Sequence, residues 1–196
     1  MLNDTPYLTT FYNMLFHPMQ SFRALGQGGN ISNRLMFQAL LTVIFVSGIG
    51  PVIHFVGEGG VLSRLLYEVP VQAVAGVFVW IIAASVISLI AYAFTGHGKI
   101  RVLLALSAFA TLPWILMGPA SLFQASAGIV GAFMGAVADL LIWLWTVVLF
   151  GLAIANTYKL SAERTAIVLL MPFTMSLIFV SWLAGFAVNI RRFWPE

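Results

Sequence analysis

Apolar residues dominate this chain from Leu35 onward, in long runs broken by short polar stretches. A helix needs about 20 consecutive apolar residues to cross the hydrocarbon of a bilayer. Residues 35–56 and 69–94 each supply one such run. From Val102 to Ala138 there is no charged residue, a stretch of roughly 37 positions and too long for one crossing. Its middle, MGPASLFQASAG, carries Gly118, Pro119 and Gly128 among small polar residues and predicts a tight uncharged turn. That turn divides a third crossing at residues 102–123 from a fourth at 128–155, and residues 165–190 give a fifth. Helix is forced in every run, because lipid offers no water to open backbone groups. The pattern predicts an all-α, polytopic integral membrane protein, a five-helix transmembrane bundle over residues 34–196 behind a separate segment, residues 1–33.

The leading segment is patterned differently. At helical spacing Leu8, Phe11, Tyr12, Leu15, Phe16, Met19 and Phe22 fall on one broad side, and Thr9, Asn13, His17, Gln20 and Ser21 on the other. Such a segment is too short and too wet-edged to span. It suits an amphipathic, interfacial helix with its apolar side in the acyl boundary; the alternative is an ordered tail packed on the bundle. Pro18 interrupts it, since proline lacks a backbone N–H and disfavours helical conformation at His17. Proline fits the first position of a helix, so His17 is expected as the N-cap of a second short helix, Pro18 to Leu25, closed by Gly26. Gly28 and Gly29 then hinge into the first crossing. The opening MLNDTPYLTT lacks the basic start of a secretory signal, so the first crossing is expected to be retained.

Composition agrees with the pattern. The chain is 61% apolar and 8% charged, whereas a soluble domain carries about 25% charged residues. It has no cysteine, which excludes disulfides, thiolate nucleophiles and Cys-ligated metals. Net charge is only +3, with no basic cluster beyond Arg191 and Arg192, so nucleic acid is not an expected partner. With five crossings the chain ends lie on opposite sides. One side collects Arg23, Arg34, Lys99, Arg101, Lys159 and Arg164, and the other Arg64, Arg191 and Arg192. That bias places the N-terminus in the cytoplasm and the C-terminus outside.

Three strings give the chain a resemblance. FHPMQSF precedes the five runs, AFATLPWIL lies in the third, and LSAERTAIVLLMP enters the fifth with a proline part-way down it. The arrangement resembles the Yip family, the Ypt/Rab-interacting membrane proteins, and in particular its short bacterial members. The resemblance implies a five-span bundle with a cytoplasmic N-terminus, here in a bacterial inner membrane. Eukaryotic members serve vesicle traffic between endoplasmic reticulum and Golgi and bind Rab-type GTPases. Those members usually carry a long polar N-terminal region, where this chain has only about 33 residues before its first span.

Few residues suggest chemistry. Asp139, in GAVADLLIWLW, is an ionisable group inside a run, and such a group is expensive in hydrocarbon and marks a functional position by default. Either it faces the bundle or a wet cavity, where it would meet a proton, a cation or an arginine, or, with the membrane entry near Met134, it lies less than two turns inside and within reach of headgroups. No second carboxylate accompanies it, so paired acid–base catalysis is unsupported. His17, His54 and His97 are on separate segments without metal-site spacing, and no cofactor or metal is expected. His17, Pro18, Phe22 and Arg23 on the leading segment, with Lys99 and Arg101 beside His97, are placed to touch a partner or anionic headgroups. Each such basic residue adds about 1 kcal/mol at a membrane surface. Gly131 and Gly135 form a GxxxG pair, and Ala84 with Ser88 repeats the small-residue spacing, which suits close helix packing within one chain or between copies. Pro51, Pro113 and Pro172 lie within runs and should bend them.

Two functions follow. The first is a non-catalytic membrane scaffold or partner-binding subunit, whose partners are the bilayer and other membrane proteins or further copies of itself. The alternative is a small transporter or channel lined by Asp139 and the kinked third and fifth helices.

Overall fold

The computed structural model describes residues 6–28, 31–58, 62–126 and 128–193, nearly all of them helical. Helix α1, Tyr7–Phe16, ends where proline forbids continuation. At His17 the backbone leaves the helical region (φ −128°, ψ 52°), and α2, Pro18–Gly28, starts on the proline itself. The His17 carbonyl accepts the first bond of α2, from Ser21 N–H at 3.1 Å. Helix α2 runs on past Gly26, so this glycine is not the stop expected of it. A Cβ there would sit 2.5 Å from the Asn156 carbonyl oxygen, and the residue is small because α2 touches another helix at that point.

Helices α3, Asn33–Glu58, and α4, Leu62–Thr95, pack along each other. Ser32 caps the first of them, its hydroxyl accepting Leu35 N–H at 3.2 Å. Gly76 of α4 lets Ser47 of α3 approach where any side chain would collide with it. The next apolar run is three pieces. Helix α5, Ile100–Ala110, gives way to a 3₁₀ turn at Leu112–Leu116 and then to α6, Met117–Ser126. Pro113 has no N–H for the α pattern, and the Thr111 hydroxyl donates to the Ala108 carbonyl at 2.7 Å beside the break.

The predicted turn over MGPASLFQASAG is therefore mostly helix. Pro119 lies in the first turn of α6, where an N–H needs no partner within the helix. The described start of α7, Gly128–Tyr158, is Gly128 with φ +56°, a conformation that glycine adopts without strain. Lys159 (φ 54°) follows α7 in the left-handed conformation of a helix C-terminus, and α8 is Ala162–Phe193.

Four of these helical stretches are long and apolar enough to cross a bilayer: Leu66–Thr95, Ile100–Gln124, Gly128–Tyr158 and Ala162–Trp182. Helix α3 adds a shorter apolar stretch, Asn33–Ile49. Helix α5 is the centre. Val102, Leu103 and every residue from Ala105 to Ala110 are buried, under α2, α3, α4 and α7. Accordingly Ile100–Gln124 is the most enclosed by protein of these four stretches, and Ala162–Trp182 the least. Helix α8 holds to α4 and α7 and buries Thr165 and Val168, but residues 173–178 and 180–182 are exposed. Among the described residues many Leu, Ile, Val, Phe, Met, Tyr and Trp side chains are exposed, which suits hydrocarbon and not water.

Polar side chains tie the helices across these contacts. Trp80 Nε1–H of α4 donates to Ser107 Oγ of α5 at 3.0 Å, and Ser88 of α4 shares a 2.7 Å hydrogen bond with the Tyr158 hydroxyl of α7, both buried. At one end Arg101 donates to Asn33 Oδ1 at 2.8 Å, joining the starts of α3 and α5. The same end holds the contact of Gly26 with Asn156 near the close of α7. Arg23, Arg34, Lys99, Arg101, Lys159 and Arg164, six of the chain's nine basic residues, thus belong to segments meeting at this end, called the basic end below.

Candidate functional site

The polar notch at Asp139 is built by α6 and α7. Gly131, Gly135 and Asp139 recur every fourth residue and so share one face of α7. Gly131 and Gly135 are buried, and α6 packs on α7. A side chain at Gly135 would occupy the space that Gln124 fills. With that space free, Gln124 crosses over the glycine and its Nε2–H donates to Asp139 Oδ2 at 2.9 Å. At Gly135 the missing side chain thus makes room for a residue of the neighbouring helix of the same chain. Helix α7 begins six residues before Met134, so Asp139 lies eleven residues along it, about 16 Å from Gly128. Trp143 is the midpoint of the helix, and Asp139 stands about 6 Å from it. The carboxylate is half-buried.

Gln124 was legible only in part. It lay inside the stretch read as a turn, where a polar residue is unremarked. The fourfold spacing of Gly131, Gly135 and Asp139 is the signal that could have found it, since it sets a gap and a carboxylate on one face.

The second polar region is the basic end. Lys99 is half-buried and precedes the first residue of α5, while Arg101 is exposed and held by Asn33. His97 turns back on its own loop, with Nδ1 2.5 Å from the Thr95 carbonyl oxygen. Arg23 and His17 are exposed on the leading segment and Pro18 is half-buried. Phe22, placed by its pattern among the residues touching lipid or a partner, is fully buried and anchors α2 in the core beside Met14 and Leu25. The burial of the segment also differs from its simple two-sided pattern. Thr10, Met14, Ser21, Phe22 and Leu25 face the bundle, with the Thr10 and Ser21 hydroxyls bonded to the Pro6 and Asn13 carbonyls, while Leu8, Tyr12, Phe16 and Met19 face outward.

The remaining positions are structural in their surroundings. Ala84 and Ser88 are buried on α4, Ser88 through its bond to Tyr158. Pro113 is buried in the 3₁₀ turn. Pro172 lies inside α8, with the Thr174 hydroxyl on the Met171 carbonyl and the Ser176 hydroxyl on the Pro172 carbonyl. The side chains of Pro51, His54, Arg64, Arg191 and Arg192 lie outside the described residues. Among the described residues, no three of His, Asp and Glu converge as metal ligands would.

A family model described as the Yip1 domain matches residues 12–184, from within α1 to within α8. No curated protein and no solved structure matches the chain.

Proposed function

This chain belongs to the Yip1 family, and we propose that it is a non-catalytic multi-pass membrane protein, a scaffold or partner-binding subunit in membrane organisation or trafficking. In this reading five helices, α3, α4, α5 with α6, α7 and α8, cross a bacterial inner membrane, with the basic end in the cytoplasm and the C-terminus outside. The observation that carries it is the assembly of the basic end. Helix α2 is pressed against α7 at Gly26 and Asn156, and Arg101 ties α5 to α3, so separate segments form one composite surface. Exposed Arg23, Lys159 and Arg164 lie on segments of that surface, which suits an acidic partner or lipid headgroup. Zero-length crosslinking in native membranes followed by gentle-detergent purification tests it. The expected result is a discrete crosslinked partner that is lost in the charge-reversed variant Arg23→Glu/Lys159→Glu/Arg164→Glu. A chain that runs as a lone monomer, with no crosslink in either form, would contradict the proposal.

The position of Asp139 favours a second reading, a small transporter. A carboxylate about 6 Å from the middle of a 31-residue helix lies in the hydrocarbon if that helix is centred in the bilayer. Proteoliposome flux of protons and monovalent cations, compared with Asp139→Asn, distinguishes the two. Flux that the substitution abolishes would establish transport, and flux at background in both forms would remove it.

A further inference from the structure

The leading segment is tied to α3 at its first helical residue. The Tyr7 hydroxyl shares a 3.2 Å hydrogen bond with Thr42 Oγ1 of α3. Thr42 is seven residues beyond Leu35, where the apolar run of α3 begins, which is about 10 Å along the helix axis. Leu41, Ile44 and Phe45, at the level of Thr42, are exposed apolar residues of α3. The start of α1 therefore shares its level with the apolar belt of the bundle, while the far end of α2 meets Asn156 near the close of α7.

Helix α1 is also apolar on both sides. Met14 is buried and Phe11 and Leu15 pack against the core, while Leu8, Tyr12 and Phe16 are 77%, 55% and 61% exposed on the opposite side. Met19 of α2, at 67% exposure, extends that outer row. Tyr12 and Phe16 lie ring to ring, with centroids 4.8 Å apart. Exposed Thr9 and half-buried Asn13 interrupt its surface, but the large side chains of the outer row are all apolar or aromatic. Exposed large apolar side chains suit hydrocarbon and not water, and the segment is tied to α3 at the level of that helix's exposed apolar residues, so the occupant that fits the row is the acyl region of the leaflet at the basic end.

Counted among the described residues, the half of the protein at that end holds α1, α2, α3, α4, α5, α7 and α8, and the other half α3, α4, α6, α7 and α8. Seven helices displace more lipid than five. We propose that α1 and α2 form a wedge sunk in one leaflet, and that the protein thereby prefers membrane curved convex toward its basic end. The inference rests on the five-crossing arrangement and is independent of which compartment the basic end faces and of any protein partner.

The test uses the full chain, which has no native cysteine, labelled at exposed Ser161→Cys and reconstituted in giant vesicles from which narrow tubes are pulled outward. A membrane-impermeant quencher separates the two orientations. Molecules with the basic end outward should be enriched in the tube about two-fold or more over the parent vesicle, and inverted molecules depleted. Leu8→Ser/Tyr12→Ser/Phe16→Ser leaves Met14, Phe22 and Leu25 in place and should bring both ratios to one. A second measurement does not depend on that variant's folding. An environment-sensitive label on Tyr12→Cys should be quenched by acyl-brominated lipid as strongly as one on exposed Phe37→Cys. Equal ratios for the two orientations in the native chain would overturn the proposal. So would quenching of the Tyr12→Cys label by aqueous iodide alone, or ready disulfide dimers of Tyr12→Cys, which would mean that a second copy covers the row.

Discussion

Gly26, Gly135 and Gly151 occupy very different surroundings, and their substitution separates three physical effects. At Gly26 a methyl would meet the backbone carbonyl of Asn156, which cannot move without shifting α7. At Gly135 it would push the Gln124 side chain off Asp139, at the cost of one hydrogen bond and some repacking. At Gly151 nothing lies within 4 Å. Thermal unfolding in a fixed detergent should therefore rank the alanine variants. Gly26→Ala and Gly135→Ala should each lose stability, by about 1–3 kcal/mol, with Gly26→Ala the worse. Gly151→Ala should gain up to about 1 kcal/mol, because alanine is the better helix former. A destabilised Gly151→Ala, or an indifferent Gly26→Ala, would show that the helices do not approach as described.

At the scale of elements, polar bonds between helices do the joining that the hydrophobic effect cannot do in lipid. A double-mutant cycle on Ser88→Ala and Tyr158→Phe should give a coupling of about 0.6 kcal/mol, with about 1.7 kcal/mol as the ceiling. The same holds for Trp80→Phe with Ser107→Ala, and additive losses in both pairs would mean that the bonds do not form. These ties also mark where sequence reading stops. The break at His17 and Pro18 was legible because proline acts on its own neighbours, and the interruption at Pro113 was legible for the same reason. Helix α6 was not, because Gly118, Pro119 and the small polar residues after it have turn propensity, and only packing against α7 makes them helical. The partners Gln124 and Asp139 are fifteen residues apart and meet through a glycine whose purpose depends on both helices. No local rule reads such a pair.

At the scale of the molecule, a charge-poor chain with long apolar runs fixes an all-helical, membrane-embedded body, and this much needed only composition and period. The placement of α5 at the centre was not legible, since all the apolar runs look alike in hydropathy, and burial is decided by which of them the others surround. The attachment of the leading segment was hidden too: its pattern left both an interfacial helix and a tail packed on the bundle open, and the bond from Tyr7 to Thr42 of α3 joins residues thirty-five positions apart. Removing that bond by Tyr7→Phe should raise amide exchange in α1 several-fold while α5 stays protected, since α1 lies at the rim and α5 at the core. Uniform protection across both helices would contradict the docking.

The most direct test is compartment-specific labelling of single cysteines introduced at exposed Gly98 and Ser161 and at the terminal residues Met1, as an added N-terminal cysteine, and Glu196. Five crossings require the N-terminal, Gly98 and Ser161 sites to react from one side of sealed vesicles and the Glu196 site from the other. Both chain ends reacting from the same side would contradict the five-helix arrangement.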